Sequence, residues 1–204
     1  MKTINQNQKG FTLVEIAIVL VIIGFLLGGV LKGQELIRGA KIKAAAQEMK
    51  EWQAAYYGYL DRFGAKPGDD KTQASRWSDM TNGNGNATIN GDTCNNNTDE
   101  SCLAMRALMH AGFITGDGTK SQPKPSTKLG GQAHLYSGTY YGKTGVWLLH
   151  EGYVDKELLA ELDRKVDDGK CNSGTMVSWT TNNNFCDQTT GEYKRSGYYV
   201  FNIE

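Results

Sequence analysis

The chain has 204 residues, with 22 Lys and Arg against 22 Asp and Glu, so its formal net charge is zero. That balance argues against a nucleic-acid or anionic-surface partner, and no isolated stretch is rich in Lys or Arg with interleaved aromatics. The length suits one sizeable domain plus an appendage.

The first ten residues carry Lys2 and Lys9 and end in Gly10. From Phe11 to Leu31 every residue is apolar or glycine except Thr12 and Glu15. As a helix this run is roughly 31 Å long, enough to cross a bilayer core. A secretory signal peptide would have a shorter apolar stretch followed by a small-residue cleavage site. Here the small residue, Gly10, comes first. Glu15 is the anomaly, because a carboxylate in hydrocarbon costs several kcal/mol unless something offsets it (of order 3 kcal/mol or more).

Helical patterning continues beyond Lys32. Ile42, Ala45, Met49, Trp52, Tyr56, Leu60 and Phe63 recur every three or four positions as one apolar stripe, with Lys43, Glu48, Lys50 and Glu51 off it. Gly64 and Pro67 end the pattern. The expected element runs from Phe11 to Phe63, about 80 Å at 1.5 Å per residue. Its first half is apolar all round, so it needs lipid or other copies of itself. Charge does not orient it: Lys32, Arg38, Lys41 and Lys43 follow the run, and a bare count would put the large domain in the cytoplasm.

Residues 64–204 read as a separate α+β region. A loop is expected over 64–97, then a helix over 99–111 that Asp99 is placed to cap. Strand-like segments are "AHLYSGTYYG", "GVWLLHEGYV" and "GYYVFNI". A helix over 155–166 separates the last two, ending near Gly169. The aromatics Tyr136, Tyr140, Tyr141 and Trp147 fit sheet packing better than a sugar platform.

Within the loop, Asn82, Asn84 and Asn86 alternate as oxygen ligands do in calcium sites, and Ile89 stands at the anchoring position. Ala87 occupies the usual turn-glycine place and Thr93 that of the closing glutamate. Charge would have to come from Asp92, Asp79 or Asp99. The same stretch also reads as surface turns, since Asn and Gly adopt left-handed conformations readily. Further on, "LDRKVDDGKCNSG" gathers three acids beside Arg and Lys, which reads as solvated capping at a helix end.

No catalytic constellation is present in the sequence. His110, His134 and His150 have neither a nucleophile nor a metal ligand at a recognisable spacing. The four cysteines allow three pairings, of which Cys94–Cys102 with Cys171–Cys186 is favoured. Each of those pairs brackets a short segment rich in Asn, Thr or Ser that cannot order itself by apolar burial. Both bridges require an oxidising compartment.

The stretch "KGFTLVEIAIVLVIIGFLLGG" resembles the amino terminus of type IV pilins and prepilin-like proteins. The resemblance implies a leader of residues 1–10 removed by a prepilin peptidase at Gly10–Phe11. It implies N-methylation of Phe11 and a role for Glu15 in assembly, its charge met by the new α-amine. It further implies an apolar membrane and filament-core helix over 11–31, an amphipathic continuation over 32–63, and a globular domain over 64–204. The helix would pack on a small antiparallel sheet in a pilin-like lollipop.

The implied protein is a single-pass precursor in the bacterial inner membrane, with its globular domain outside the cytoplasm. It would later stand in a pilus or in a secretion or competence pseudopilus. Its partners would be other pilins or copies of itself, membrane lipid, the peptidase and the inner-membrane assembly machinery. The Cys171–Cys186 segment is similar to the disulfide-bounded carboxy-terminal region of many pilins, and the "LDRKVDDGKCNSG" stretch resembles one recurring in prepilin-like proteins. Lys32 departs from the proline that many filament formers have after the apolar run. The competing expectation is a membrane-tethered binding protein or adhesin that never polymerises.

Overall fold

The computed structural model describes residues 10, 12–91, 93–181 and 183–204. It divides into two compact units, Met1–Ala40 and Lys41–Glu204. Helix α1 (Leu13–Phe63) begins in the first unit and ends in the second.

Within the second unit, α1 buries Ile42, Ala45, Ala46, Met49, Trp52, Ala55, Tyr56 and Tyr59. These positions follow the three-and-four spacing of the sequence stripe, because only that face meets other elements. The helix stops at Gly64, whose φ of +69° lets its N–H close on the Leu60 carbonyl at 2.8 Å.

A single turn, α2 (Gln73–Arg76), interrupts the expected loop. Helix α3 (Glu100–His110) then packs nearly all round, with Leu103, Met105 and Leu108 fully buried. Asp99 precedes it but makes no side-chain cap. Its Oδ2 accepts instead from Asn96 N at 3.1 Å, and the Asn90 carbonyl takes the Ser101 N–H at 3.0 Å. Loop backbone therefore satisfies a first-turn donor that the expected cap would have served.

Strands β1 (Gln132–Tyr140) and β2 (Lys143–Val154) form a hairpin. Tyr141 and Gly142 turn the corner with φ of +47° and +80°, the backbone signs of the tight hairpin turn that matches strand twist. Helix α4 (Lys156–Val166) follows, capped by Asp155 on Glu157 N and Leu158 N at 3.0 and 3.2 Å. Strands β3 (Met176–Ser178) and β4 (Gly197–Asn202) complete a four-stranded antiparallel sheet in the order β1-β2-β4-β3.

Both faces of this sheet are buried. Leu135, Leu148 and Phe201 stand in register on one face and enter the main core with α1, α3 and α4. On the other face Tyr136, Trp147, Leu149, Val177 and Val200 form a second cluster, flanked by Tyr140, Tyr141 and Tyr198. Two buried faces explain why β2 reads "VWLL" without alternation. The second cluster also accounts for Tyr136, Tyr140, Tyr141 and Trp147 as packing residues.

Candidate assembly site

The apolar segment is built for contact outside its own chain. Leu13, Val14, Ile18, Leu20, Val21, Phe25, Leu26 and Leu31 are all exposed. By length and composition α1 is able to cross a membrane, and nothing in its most apolar window is buried within the chain. Gly10 is exposed, whereas Phe11 lies outside the described residues.

Glu15 has a local partner that its position in an apolar run concealed. Its Oε2 accepts from both the backbone N and the Oγ1 of Thr12, each at 2.8 Å, and its own N–H donates to Thr12 Oγ1 at 3.2 Å. The sequence Thr12-Leu-Val-Glu15 is a capping box, in which two helix-end donors and two side chains satisfy one another. Its signature, Thr followed three residues later by Glu before an apolar run, was readable in the sequence. Among the described residues Oε1 has no donor, so the carboxylate keeps capacity for a further cation.

The asparagine loop is organised from elsewhere in the chain. Asp69, only 4 % exposed, accepts from Gly85 N at 2.6 Å, Asn86 N at 3.0 Å and Ala87 N at 2.7 Å. Successive N–H groups thus converge on one buried carboxylate, with Ala87 held at φ +66°. The three amide oxygens each accept a backbone N–H: Asn82 from Ala74, Asn84 from Asn86, and Asn86 from Thr88, all at 2.9 Å. Ile89 is fully buried, and its N–H and C=O pair with Ser137 Oγ and Ser137 N at 2.8 Å. Asp92 lies outside the described residues. Asp99 borders this loop, while Asp79 is bound to Arg106 and His110 at 2.7 and 3.0 Å. Calcium here remains a proposal; an ion would take the second lone pairs of oxygens already holding turns.

Two disulfides, Cys94–Cys102 and Cys171–Cys186, join the four cysteines, and no free thiol is left. Next to the second lies the acidic stretch, where Asp168 is exposed as expected from sequence but Asp163 is not. Asp163 is fully buried and accepts from Tyr193 Oη at 2.7 Å and Gly169 N at 3.3 Å. Its carboxylate oxygens come within 4.8 Å of those of Asp167 and Asp168. Burial, reinforced by these two like charges, pushes the Asp163 carboxyl up to about 7.

Asp167 accepts from Thr175 N and Met176 N, and Asp168 from Lys170 N and Ser173 Oγ. The acids therefore tie the end of α4 to the start of β3 and to Tyr193 beyond the disulfide. Half-buried Asp187 contrasts with them: Lys194 and the Thr189 and Thr190 N–H groups hold its carboxyl down at about 2. His134 and His150 are buried in β1 and β2, while His110 stacks on Trp77. The structure does not bring the three histidines together.

Residues 5–31 match the family described as the prokaryotic N-terminal methylation motif. No curated protein and no solved structure matches the chain. The matched residues hold Gly10, Phe11, Thr12, Glu15 and the apolar run. Together with a long amino-terminal helix followed by an antiparallel sheet, they make the chain type IV pilin-like in motif and layout.

Proposed function

We propose that this chain is a structural subunit of a type IV pilus or a related secretion or competence pseudopilus. One observation carries the reading: the methylation motif coincides with an apolar helix that its own chain leaves uncovered. An ordinary membrane anchor needs the apolar run but neither Gly10 nor Glu15. A prepilin peptidase would cut after Gly10 and methylate the new terminus at Phe11. The segment would wait in the inner membrane and then exchange lipid for the corresponding segments of other subunits.

Glu15 acts in that exchange as a register. In the precursor its cost in lipid is offset by Thr12. After cleavage, the α-amine of its own or a neighbouring chain supplies a full opposite charge, whose attraction in a low-dielectric core falls off with misplacement. Two disulfides are consistent with this route, which carries the globular domain out of the cytoplasm.

The test is processing. With the peptidase present, the mature protein should begin at methylated Phe11, and Gly10→Val should accumulate uncut in the membrane. A mature chain starting near Ala40 would replace this reading with that of a cleaved signal sequence.

A further inference from the structure

The loop from Asn82 to Gly91 holds three Asn–Gly pairs: Asn82–Gly83, Asn84–Gly85 and Asn90–Gly91. In such a pair the glycine nitrogen can attack the asparagine side-chain carbon, because no Cβ shields it. The nitrogen–carbon bond closes a succinimide, the amide nitrogen leaves as ammonia, and the peptide proton passes to solvent. Water then opens the ring to an aspartyl or isoaspartyl residue. No oxidant or cofactor takes part.

Sequence alone ranks the three pairs equally, but the fold does not. Gly83 N donates to the Asp70 carbonyl at 3.0 Å, and Gly85 N to the buried Asp69 carboxylate at 2.6 Å. Turning either nitrogen onto its neighbour's side chain breaks a bond to a fixed acceptor. The side chains of Asn82 and Asn84 are themselves engaged with Ala74 N and Asn86 N. Gly91 N has no acceptor among the described residues, and both Asn90 and Gly91 are exposed. The Asn90 side chain is held as well, by Glu100 Oε2 at 2.7 Å and Thr88 Oγ1 at 3.3 Å, so what separates this pair from the other two is the free Gly91 nitrogen.

We propose that Asn90 is the deamidation site of this loop, and that its conversion releases the loop from α3. Asn90 Nδ2 is a donor to Glu100, a carboxylate only 5 % exposed. Conversion to aspartate replaces that donor with a second carboxylate in the same place, where two like charges at hydrogen-bond distance repel, and conversion to isoaspartate removes the donor and reroutes the backbone. The Asn90 N–Glu100 and Ser101 N–Asn90 O bonds, both 3.0 Å, anchor the same junction and would be strained with it. The change is irreversible, so it accumulates with the age of the protein.

Peptide mapping tests this on the full chain in detergent, aged at mildly alkaline pH, beside the same chain in denaturant. Denatured, the three pairs react at rates set by sequence. Folded, Asn82 and Asn84 should be slowed relative to Asn90 by on the order of tenfold, the effect of one bond to a buried acceptor. Asn90→Asp should melt below the unaltered chain, and Asn90→Gln should lose most of the early deamidation. Equal protection at all three sites, or earlier conversion at Asn82 or Asn84, would overturn the site. An Asn90→Asp variant melting with the unaltered chain would overturn the release.

Discussion

Glu15 and Asp163 are two carboxylates in unfavourable surroundings that find different solutions. Glu15 leans on a hydroxyl and a backbone N–H three residues away, and the role proposed for it in assembly needs charge. Glu15→Gln keeps an acceptor for Thr12 and so preserves the capping box, while deleting the charge. It should insert and be cleaved normally but assemble poorly, whereas loss of the box alone, in Thr12→Ala, costs about 1 kcal/mol of helix-end stability. Fibre yield separates the two; Glu15→Gln fibres at normal abundance would contradict the registering charge.

Asp163 behaves oppositely, because its folded-state pKa is raised from 3.8 to about 7. Between those values the folded state holds a proton that the unfolded state has lost. Its contribution is therefore fully present below about pH 4 and is lost as pH rises to about 7. Asp187, Asp70 and Asp79 have lowered values and act with the opposite sign at more acidic pH. Asp163→Asn should flatten the fall in melting temperature across that window. A fall as steep as in the unaltered chain would place the cause elsewhere.

At the scale of elements, legibility followed periodicity. The stripe from Ile42 to Phe63 was readable because it repeats over several turns, and the three longer strands because each is a sustained run of apolar and β-forming residues. Strand β3 has three residues, Met176–Ser178, too few to show alternation, and α2 is a single turn. The calcium-like alternation of Asn82, Asn84 and Asn86 was visible, but Asp69 was not. It reaches the loop across 16 to 18 residues of chain, with no local signature. Asp163 escaped for a related reason, since what buries it lies beyond the second disulfide.

That disulfide joins cysteines separated by 15 residues and encloses β3. Replacing Cys171 and Cys186 with serine should cost roughly 3 kcal/mol by chain entropy, more than the shorter Cys94–Cys102 link contributes on the same model. Denaturant melts of the two double variants check the order. A larger loss from the eight-residue separation of Cys94 and Cys102 would show that strain or local packing dominates.

The molecule combines a carboxy-terminal unit with two buried apolar clusters and an amino-terminal segment with none among its described residues. Segments that bury nothing in their own chain are stable only when lipid or protein covers them. The methylation motif lies on that same segment, and in the function proposed above other subunits cover it after processing. The most direct test is to shear cells expressing the protein and sequence the fibre fraction by mass spectrometry. The proposed function predicts this chain in the fibres, beginning at methylated Phe11 and containing both disulfides. Recovery only from the membrane fraction, with residues 1–10 still attached in the presence of an active peptidase, would contradict it.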